Sequence, residues 1–576
     1  MERRNFFKVA ALAGGATLLP KDSLFANPIV DEVERSKRKR KGSAKELKAD
    51  VVIIGGGMGG VASALAACRN GLHVVMTEET DWIGGQATQQ AVPLDEHRWI
   101  ETCGGTAAYR EYRNRIQDYY RKNYPLTKEA AARKSLNPGA GFVSRLCHEP
   151  RVSLAVMTDM LSPYISNGKL TLLLDCKAEK ADVTGDEVKH IQVYDSKRGE
   201  SYVLTAPYFV DATECGDLLP MTGTEYVLGA ESKAQTNELH AQEVADPNCQ
   251  QSFTVCFALD YVPGEDFTIE KPKDYDFWRN YTPDLTPAWP GKLLDLSYSD
   301  PFTFKPKRLD FHPEGKSFNG VMNWWNYRRI IYRHNFEPGF YEGDISLLNW
   351  PQQDYLLGNI VDVSEKEYKK HVEGAKNLNR SFLYWLQTEV PRPEGGYGWK
   401  GLRLRKDICG TEDGMAKYPY IREARRIQAE FTVTEEHVGV ENRKLVASGE
   451  AANRAEHFFD SVGTGYYRID LHPTTTGVNY IDIEPYRFEI PLGALLPKRM
   501  NNLIPAAKNI GTTHITNGCY RLHPVEWSIG EAVGMLVTFA KSKKVPVRAV
   551  RADKGLLSEF QRFIETQGLE TRWPNV

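Results

Sequence analysis

Asp50-Val51-Val52-Ile53-Ile54 is a short apolar run rich in β-branched residues, the pattern of a strand buried on both faces of a parallel sheet. Small, helix-compatible residues follow from Val61 to Cys68, and Asn70-Gly71 supplies a stop. Leu72–Met76 is a second apolar run, so the three stretches predict a β–α–β unit. Residues 169–211 then alternate in short segments, with turn signals at Asn167-Gly168, Gly185-Asp186 and Arg198-Gly199. They predict a meander of short strands. Residues 91–150 are polar and helical in pattern and read as an insertion. Residues 226–440 are dense in aromatics, Trp324-Trp325 and Trp350 among them, with proline-rich turns such as Thr286-Pro287-Ala288-Trp289-Pro290. Near the C-terminus Pro524 suits the first turn of a helix that runs through Gly534.

The patterning predicts an α/β protein with a discontinuous, Rossmann-like dinucleotide domain: a central parallel sheet, a β-meander, and a second α+β region acting as a substrate cap. The expected boundaries are a leader at 1–26, a basic linker at 27–48, the dinucleotide domain at 49–225 and 441–545, the cap at 226–440, and a helical tail at 546–576. A substrate is expected at the boundary between cap and dinucleotide domain, where pockets concentrate.

The first residues read as an address. Arg3-Arg4-Asn5-Phe6-Phe7-Lys8 precedes the apolar run Val9 to Leu19 and resembles a bacterial Tat export signal, with cleavage expected after Ala26. The expected location is therefore periplasmic or otherwise exported, with the Tat machinery as a partner. The run is far shorter than the roughly 20 residues that span a bilayer, and no later segment is apolar enough, so no membrane span is expected. The basic stretch 35–48 reads as a solvated linker.

Composition narrows the function. A formal charge of −2 leaves no excess of Lys and Arg for a dedicated nucleic-acid binder. The nine cysteines include no CxxC pair and no short Cys/His cluster, which argues against an iron–sulfur or zinc site built from sequence neighbours. The 11 Trp and 28 Tyr would suit a rigid pocket for sugars or rings, with ordinary core packing as the favoured alternative.

The chemistry-bearing motif lies between the first two strands. Gly55, Gly57 and Gly60 fall at GxGxxG spacing, with Met58 and Gly59 inside the turn. The first glycine permits the tight turn, the second lets backbone approach a pyrophosphate, and the third lets helix pack on strand. Glu78, followed by Glu79, ends the second strand 23 residues after Gly55. A carboxylate there accepts hydrogen bonds from ribose hydroxyls and repels a 2′-phosphate. Gly84-Gly85-Gln86 in the segment GGQAT lets backbone lie against a large ligand.

These segments resemble the FAD-dependent oxidoreductase family of the glutathione-reductase-like flavin fold, and more narrowly the FAD_oxidored group often found near carbohydrate-use genes. The resemblance covers most of residues 50–545 and rests on the β–α–β fingerprint, GGQAT, the segment Asp211-Ala212-Thr213-Glu214-Cys215-Gly216-Asp217, YIREARRI, and IPLGALLPKRMNNL. It implies FAD as cofactor, with Ala212, Thr213, Asp217, Asn509 and Gly530 at the cofactor and the backbone at Ala178 against adenine. Two departures stand out. Glu214 replaces a common glycine, and Ala507-Lys508 replaces a frequent Gly-Arg.

Candidates for catalysis follow. His523 is placed to take a hydroxyl proton while hydride passes to flavin N5, with His514 as a second choice and Arg521 to hold a polar substrate or reduced flavin. Arg422, in YIREARRI read as a helix, would present a cationic face with Arg425 or Arg426; a salt-bridged helix is the alternative. Asp470 and His472 lie after the loop Gly463-Thr464-Gly465 and would line the pocket unless they serve packing; Cys103 would bring a thiol near the flavin. No metal is expected. The chain thus reads as an exported FAD-dependent enzyme that oxidises a C–OH, or reduces its carbonyl counterpart, in a small polar substrate such as a carbohydrate, using an electron acceptor of unknown identity. Two rivals stay open: a flavin-dependent lyase with transient oxidation, and a flavin-loaded binding protein without catalysis.

Overall fold

The computed structural model describes residues 43–317 and 320–574. The twin-arginine leader and residues 27–42 of the expected linker lie outside the described residues. The end of that linker, Lys45–Lys48, forms an exposed edge strand, β1.

The predicted unit follows as β2 (Val51–Ile54), α1 (Met58–Arg69) and β3 (Val74–Thr77), with every residue of both strands buried. After α2 (Ala107–Asn123) and α3 (Pro150–Ser166) come β4 (Leu170–Leu173), β5 (Cys176–Thr184), β6 (Glu187–Asp195), β7 (Glu200–Thr205) and β8 (Tyr208–Asp211). Gly168, Gly185 and Gly199 all adopt positive φ at the connections between them, as the turn signals required. The second region contributes β9 (Phe257–Tyr261), β10 (Arg329–Ile331), β11 (Ile345–Leu348), α4 (Glu365–Thr388) and β12 (Leu402–Leu404). The chain then returns with β13 (Leu503–Pro505), α5 (His514–Tyr520) and α6 (His523–Lys543).

Five strands form one wholly parallel sheet in the order β13-β8-β2-β3-β4. Strand order reverses beside β2, so the carboxyl ends of β2, β3 and β8 open on a crevice, the place where such sheets receive ligands. The meander β5-β6-β7 is antiparallel and is extended by β1 parallel to β7. Its apolar face shares a core with Val52, Ile54 and Phe209 of the parallel sheet. This is the α/β, Rossmann-like architecture that the pattern predicts.

The second region is built on the antiparallel sheet β10-β11-β9-β12 backed by α4. Its tryptophans form the core: Trp324, Trp325 and Trp350 are buried with Phe311 and Phe382, and the rings of Trp324 and Trp350 lie 4.7 Å apart. Aromatic content here is packing, the favoured alternative.

YIREARRI is not a helix. Ile421–Arg425 is irregular, and Arg426–Ile427 is a short strand paired with Tyr226–Val227. Its backbone N–H groups bond distant carbonyls instead of their own turn, Arg425 to Cys215 at 3.2 Å and Ile427 to Asn509 at 3.0 Å. The arginine spacing is helical, but each guanidinium has its own buried partners.

Candidate functional site

The turn after β2 is shaped for close approach. Gly55 has φ of 99°, a conformation that disfavours side chains, and its N–H donates to Thr77 O at 3.1 Å. A Cβ on Gly59 would run into the Ala506 carbonyl, and one on Gly60 into that of Gly55. Met58 opens α1 and is fully buried. The helix therefore starts hard against β2 and β13, with its amide dipoles aimed along the crevice.

A cleft runs along this turn, lined by Gly55, Gly57, Glu78, Glu79, Lys177, Ala178 and further residues of the β8 end. Glu78 forms its floor. Its Oε2 accepts the Gly56 N–H at 2.9 Å, and Oε1 accepts from Thr80 N–H and Gln89 Nε2, both at 2.9 Å. Burial pushes the Glu78 carboxyl up to about 8, helped by neighbouring Glu79 and opposed by these donors. Glu79 pairs with Lys177 at 2.9 Å.

On the opposite wall stand Ala212, Thr213 and Asp217. Buried Asp211 anchors them, accepting from Thr213 Oγ1 at 2.7 Å, and burial raises its carboxyl to about 7. Asp217 pairs with Arg425 at 3.0 Å. Asn509 donates to Asp211 O at 3.1 Å and ties the end of β13 to that of β8. Gly84 and Gly85 both take positive φ, and Gln86 reaches the first turn of α6, where its Nε2 donates to Glu526 and to Arg521 O. Gly530 lies one turn farther along α6, pressed on the backbone of Gly59. It is a helix–helix contact.

This cradle fits the dinucleotide half of FAD. Backbone where side chains would collide, a carboxylate at the end of β3 with an acceptor face, and a helix N-terminus over the crevice meet the needs of pyrophosphate and ribose.

Beyond the cradle, the residues proposed for chemistry separate into two groups. His523 is fully buried, and its Nδ1 accepts the Asp95 backbone N–H at 3.1 Å, so the ring proton sits on Nε2, which has no partner. Burial, with Arg328 nearby, pushes its pKa down to about 3. His514 pairs with Glu423 at 3.1 Å, and Glu423 in turn with Arg426. Burial works against the Glu423 charge, but His514 and Arg426 outweigh it and hold the carboxyl down to about 2. Cys103 is buried beside Gly104, whose N–H donates to Glu570 in the C-terminal segment.

Arg521, Tyr420, Asp470, Asp95, Arg328 and His472 meet at the seam between the two regions. Arg521 donates to Tyr420 Oη at 2.8 Å and to Asp470 O at 2.9 Å. Arg328 reaches Asp95 at 3.3 Å. His472 Nδ1 lies 2.7 Å from Asp354 Oδ2, and Arg422 Nη1 lies 3.1 Å from Asp354 Oδ1. Burial pushes Asp354 up, yet Arg422 and His472 prevail and hold its carboxyl below the usual range. The Nε atoms of Arg328, Arg422 and Arg521 have no hydrogen-bond partner. Asp354, Asp95 and Arg328 carry no sequence signal of their own, since their partners are far away along the chain.

No curated protein matches the chain. Among solved structures, the FAD-bound glycerol-3-phosphate dehydrogenase from Bacillus halodurans is 15% identical over 39% of this chain and 41% of its own, with a TM-score of 0.21. The flavin-dependent brominase Bmp2 is 14% identical over 39% of this chain and 49% of its own, with a TM-score of 0.23. The L-proline dehydrogenase from P. horikoshii is 16% identical over 33% and 25%, with a TM-score of 0.17. The likeness thus spans less than half of each of these chains. The family model described as FAD dependent oxidoreductase matches residues 50–564. Extending over nearly all the described residues, that match makes the chain a member of the FAD dependent oxidoreductase family.

Proposed function

We propose that this enzyme oxidises a C–OH group of a small polyhydroxylated substrate, bound at the seam between the cap and the dinucleotide domain. FAD, when bound, supplies the acceptor for the hydride that leaves the carbinol carbon. The hydroxyl proton needs a base, and His472 is the group we assign. Asp354 fixes its Nδ1–H, which leaves the Nε2 lone pair to accept the proton and a carboxylate to balance the imidazolium formed. His472 keeps 18% of its side chain exposed while Asp354 keeps 2%, so the base faces the seam and its partner is shielded. That contrast carries the reading.

His523 suits a different task. Its Nε2–H is a fixed donor, able to hold a carbonyl or hydroxyl oxygen but not to take a proton. Arg521 and Arg328, each with a free Nε–H, provide planar donors, and the acids beside them, Asp470 and Asp95, provide the acceptors that bracket neighbouring hydroxyls. The paired acids keep the seam near neutrality, which supports an uncharged polyol or sugar over an anion.

Anaerobic addition of candidate sugars to the loaded protein should bleach its flavin lastingly. In His472→Gln the bleaching rate should fall about 10²–10⁴-fold with the resting flavin spectrum unchanged. Product formed without lasting bleaching would overturn the oxidation reading, and a wild-type rate in the variant would overturn the base.

A further inference from the structure

The two departures from the family pattern find each other in space. Lys508 is wholly buried and ion-paired with Glu214 Oε2, although 294 positions separate them. Glu526, in the first turn of α6, completes a buried group of two acids and one lysine, joined by Gln86. Three oxygens in this group lack any partner: Glu214 Oε1, Glu526 Oε1 and Gln86 Oε1. All three residues are more than nine-tenths buried. Glu214 Oε1 lies 2.9 Å from where a Cβ on Gly57 would stand and 2.7 Å from one on Gly85, and Glu526 Oε1 lies 3.7 Å from the former. Glu214 Oε1, which lines the cleft, and Glu526 Oε1 behind it therefore lie against the stretch of cradle where backbone approaches the pyrophosphate.

Charge counting sets the problem. With both acids ionised the group is net −1, in a dry pocket that must receive a diphosphate, itself an anion with only acceptor oxygens. One proton on the group removes the conflict twice, bringing the net charge to zero and turning an acceptor into an O–H donor.

We propose that Glu526 is protonated when the cofactor is bound and donates a hydrogen bond to the diphosphate of the dinucleotide, with Glu214–Lys508 as the fixed ion pair behind it. Glu526 is the member free to hold the proton because Lys508 is committed to Glu214. The groups that act on Glu526 agree: burial raises its carboxyl to about 7, Lys508 opposes this, Glu214 adds to it, and the Gln86 donor opposes it. Cys215 and His523 also act electrostatically on Lys508 or respond to it, and both are buried and uncharged at neutral pH.

Flavin release from the loaded full-length chain, followed by the gain of free flavin fluorescence, tests this. Release should quicken as pH rises from 7 to 9, by up to about tenfold per unit, and Glu526→Gln, a permanent neutral donor, should remove that dependence. Glu78 in the same cleft acts with the opposite sign, since its ionised form is the better ribose acceptor, so the wild-type-minus-variant difference is the readout. Should the variant not fold, proton uptake on reloading stripped wild-type protein at pH 8.5, from titration heats in two buffers, gives the answer. An uptake supports the proposal. A pH dependence unchanged in the variant, or no uptake, overturns it.

Discussion

One hydrogen atom separates the two histidines at the seam. A backbone N–H can only donate, so His523 Nδ1, which receives that of Asp95, must carry its own proton on Nε2. A carboxylate can only accept, so His472 Nδ1, against Asp354, must donate, and in the neutral ring Nε2, 3.8 Å from Asp470 Oδ2, is the bare nitrogen. The same reasoning makes Glu78 sensitive to the smallest substitution. Every neighbour of its carboxylate is a donor: Gly56 N–H, Thr80 N–H and Oγ1–H, and Gln89 Nε2. Above pH 8, where Glu78 is ionised, it meets all of these donors, whereas in Glu78→Gln the amide nitrogen must face one of them and stays unpaired at a cost of about 1–3 kcal/mol. At pH 9, where the ionised carboxylate is the better ribose acceptor, FAD affinity of the variant should fall about 5- to 100-fold below wild type by fluorescence titration, and an unchanged dissociation constant would remove Glu78 from the cofactor site.

At the scale of elements, α1 and α6 are the critical pair. A Cβ on Gly530 would run into the Gly59 backbone, and one on Gly534 into Ser63 O, so the helices meet backbone to backbone. Gly530→Val should force α6 off α1, destabilise the protein by about 1–3 kcal/mol, and lower the flavin content of purified protein, because α1 carries the cradle. A normal melting temperature with full flavin would contradict this packing account. The β2–α1–β3 unit was legible in the sequence because its determinants are local: period, glycine spacing and the acid that ends β3. The meander was legible because Gly168, Gly185 and Gly199 mark turns within a few residues. At the seam Asp470, His472 and Arg521 were named as candidates, but the pairings that set their chemistry were not legible. His472 and Asp354 lie 118 positions apart, and Glu214 and Lys508 lie 294 apart, so no window of sequence contains either pair. Arg422 misled for the same reason, its helical spacing being outweighed by buried partners at Ser252, Thr254 and Asp354.

Across the whole molecule, buried titratable groups oppose one another and shape stability against pH. Burial raises Glu78 to about 8 and Asp211, Glu238 and Glu526 to about 7. Each keeps in the fold a proton that the unfolded chain releases near pH 4, so each makes stability fall as pH rises from there towards 7 or 8. Burial also lowers His97 and His148 to about 4 and His523 to about 3, against an ordinary 6.5. The unfolded chain takes up these three protons below pH 6.5 while the fold refuses them, so each makes stability fall as pH drops. A group at full difference contributes about 1.4 kcal/mol per pH unit. Between pH 5 and 6.5 these four acids outweigh the three histidines by about one proton, and Asp482, raised by burial to about 6, adds to their side, so stability falls by about 1.4 kcal/mol per pH unit or more. Above 6.5 the histidines drop out and the acids alone set the slope. Below about 4.5 Glu423, held down to about 2, adds its own loss. The flavin-free chain should therefore show a melting temperature that falls gently from pH 5 to 6.5 and more steeply towards pH 8, followed by circular dichroism. Glu238→Gln, remote from the cofactor cradle, should flatten the alkaline limb, because one of the four protons no longer depends on folding. A melting temperature that peaks at pH 8 would mean that these acids are ionised inside the fold, and the neutral cradle argued for Glu526 would lose its support.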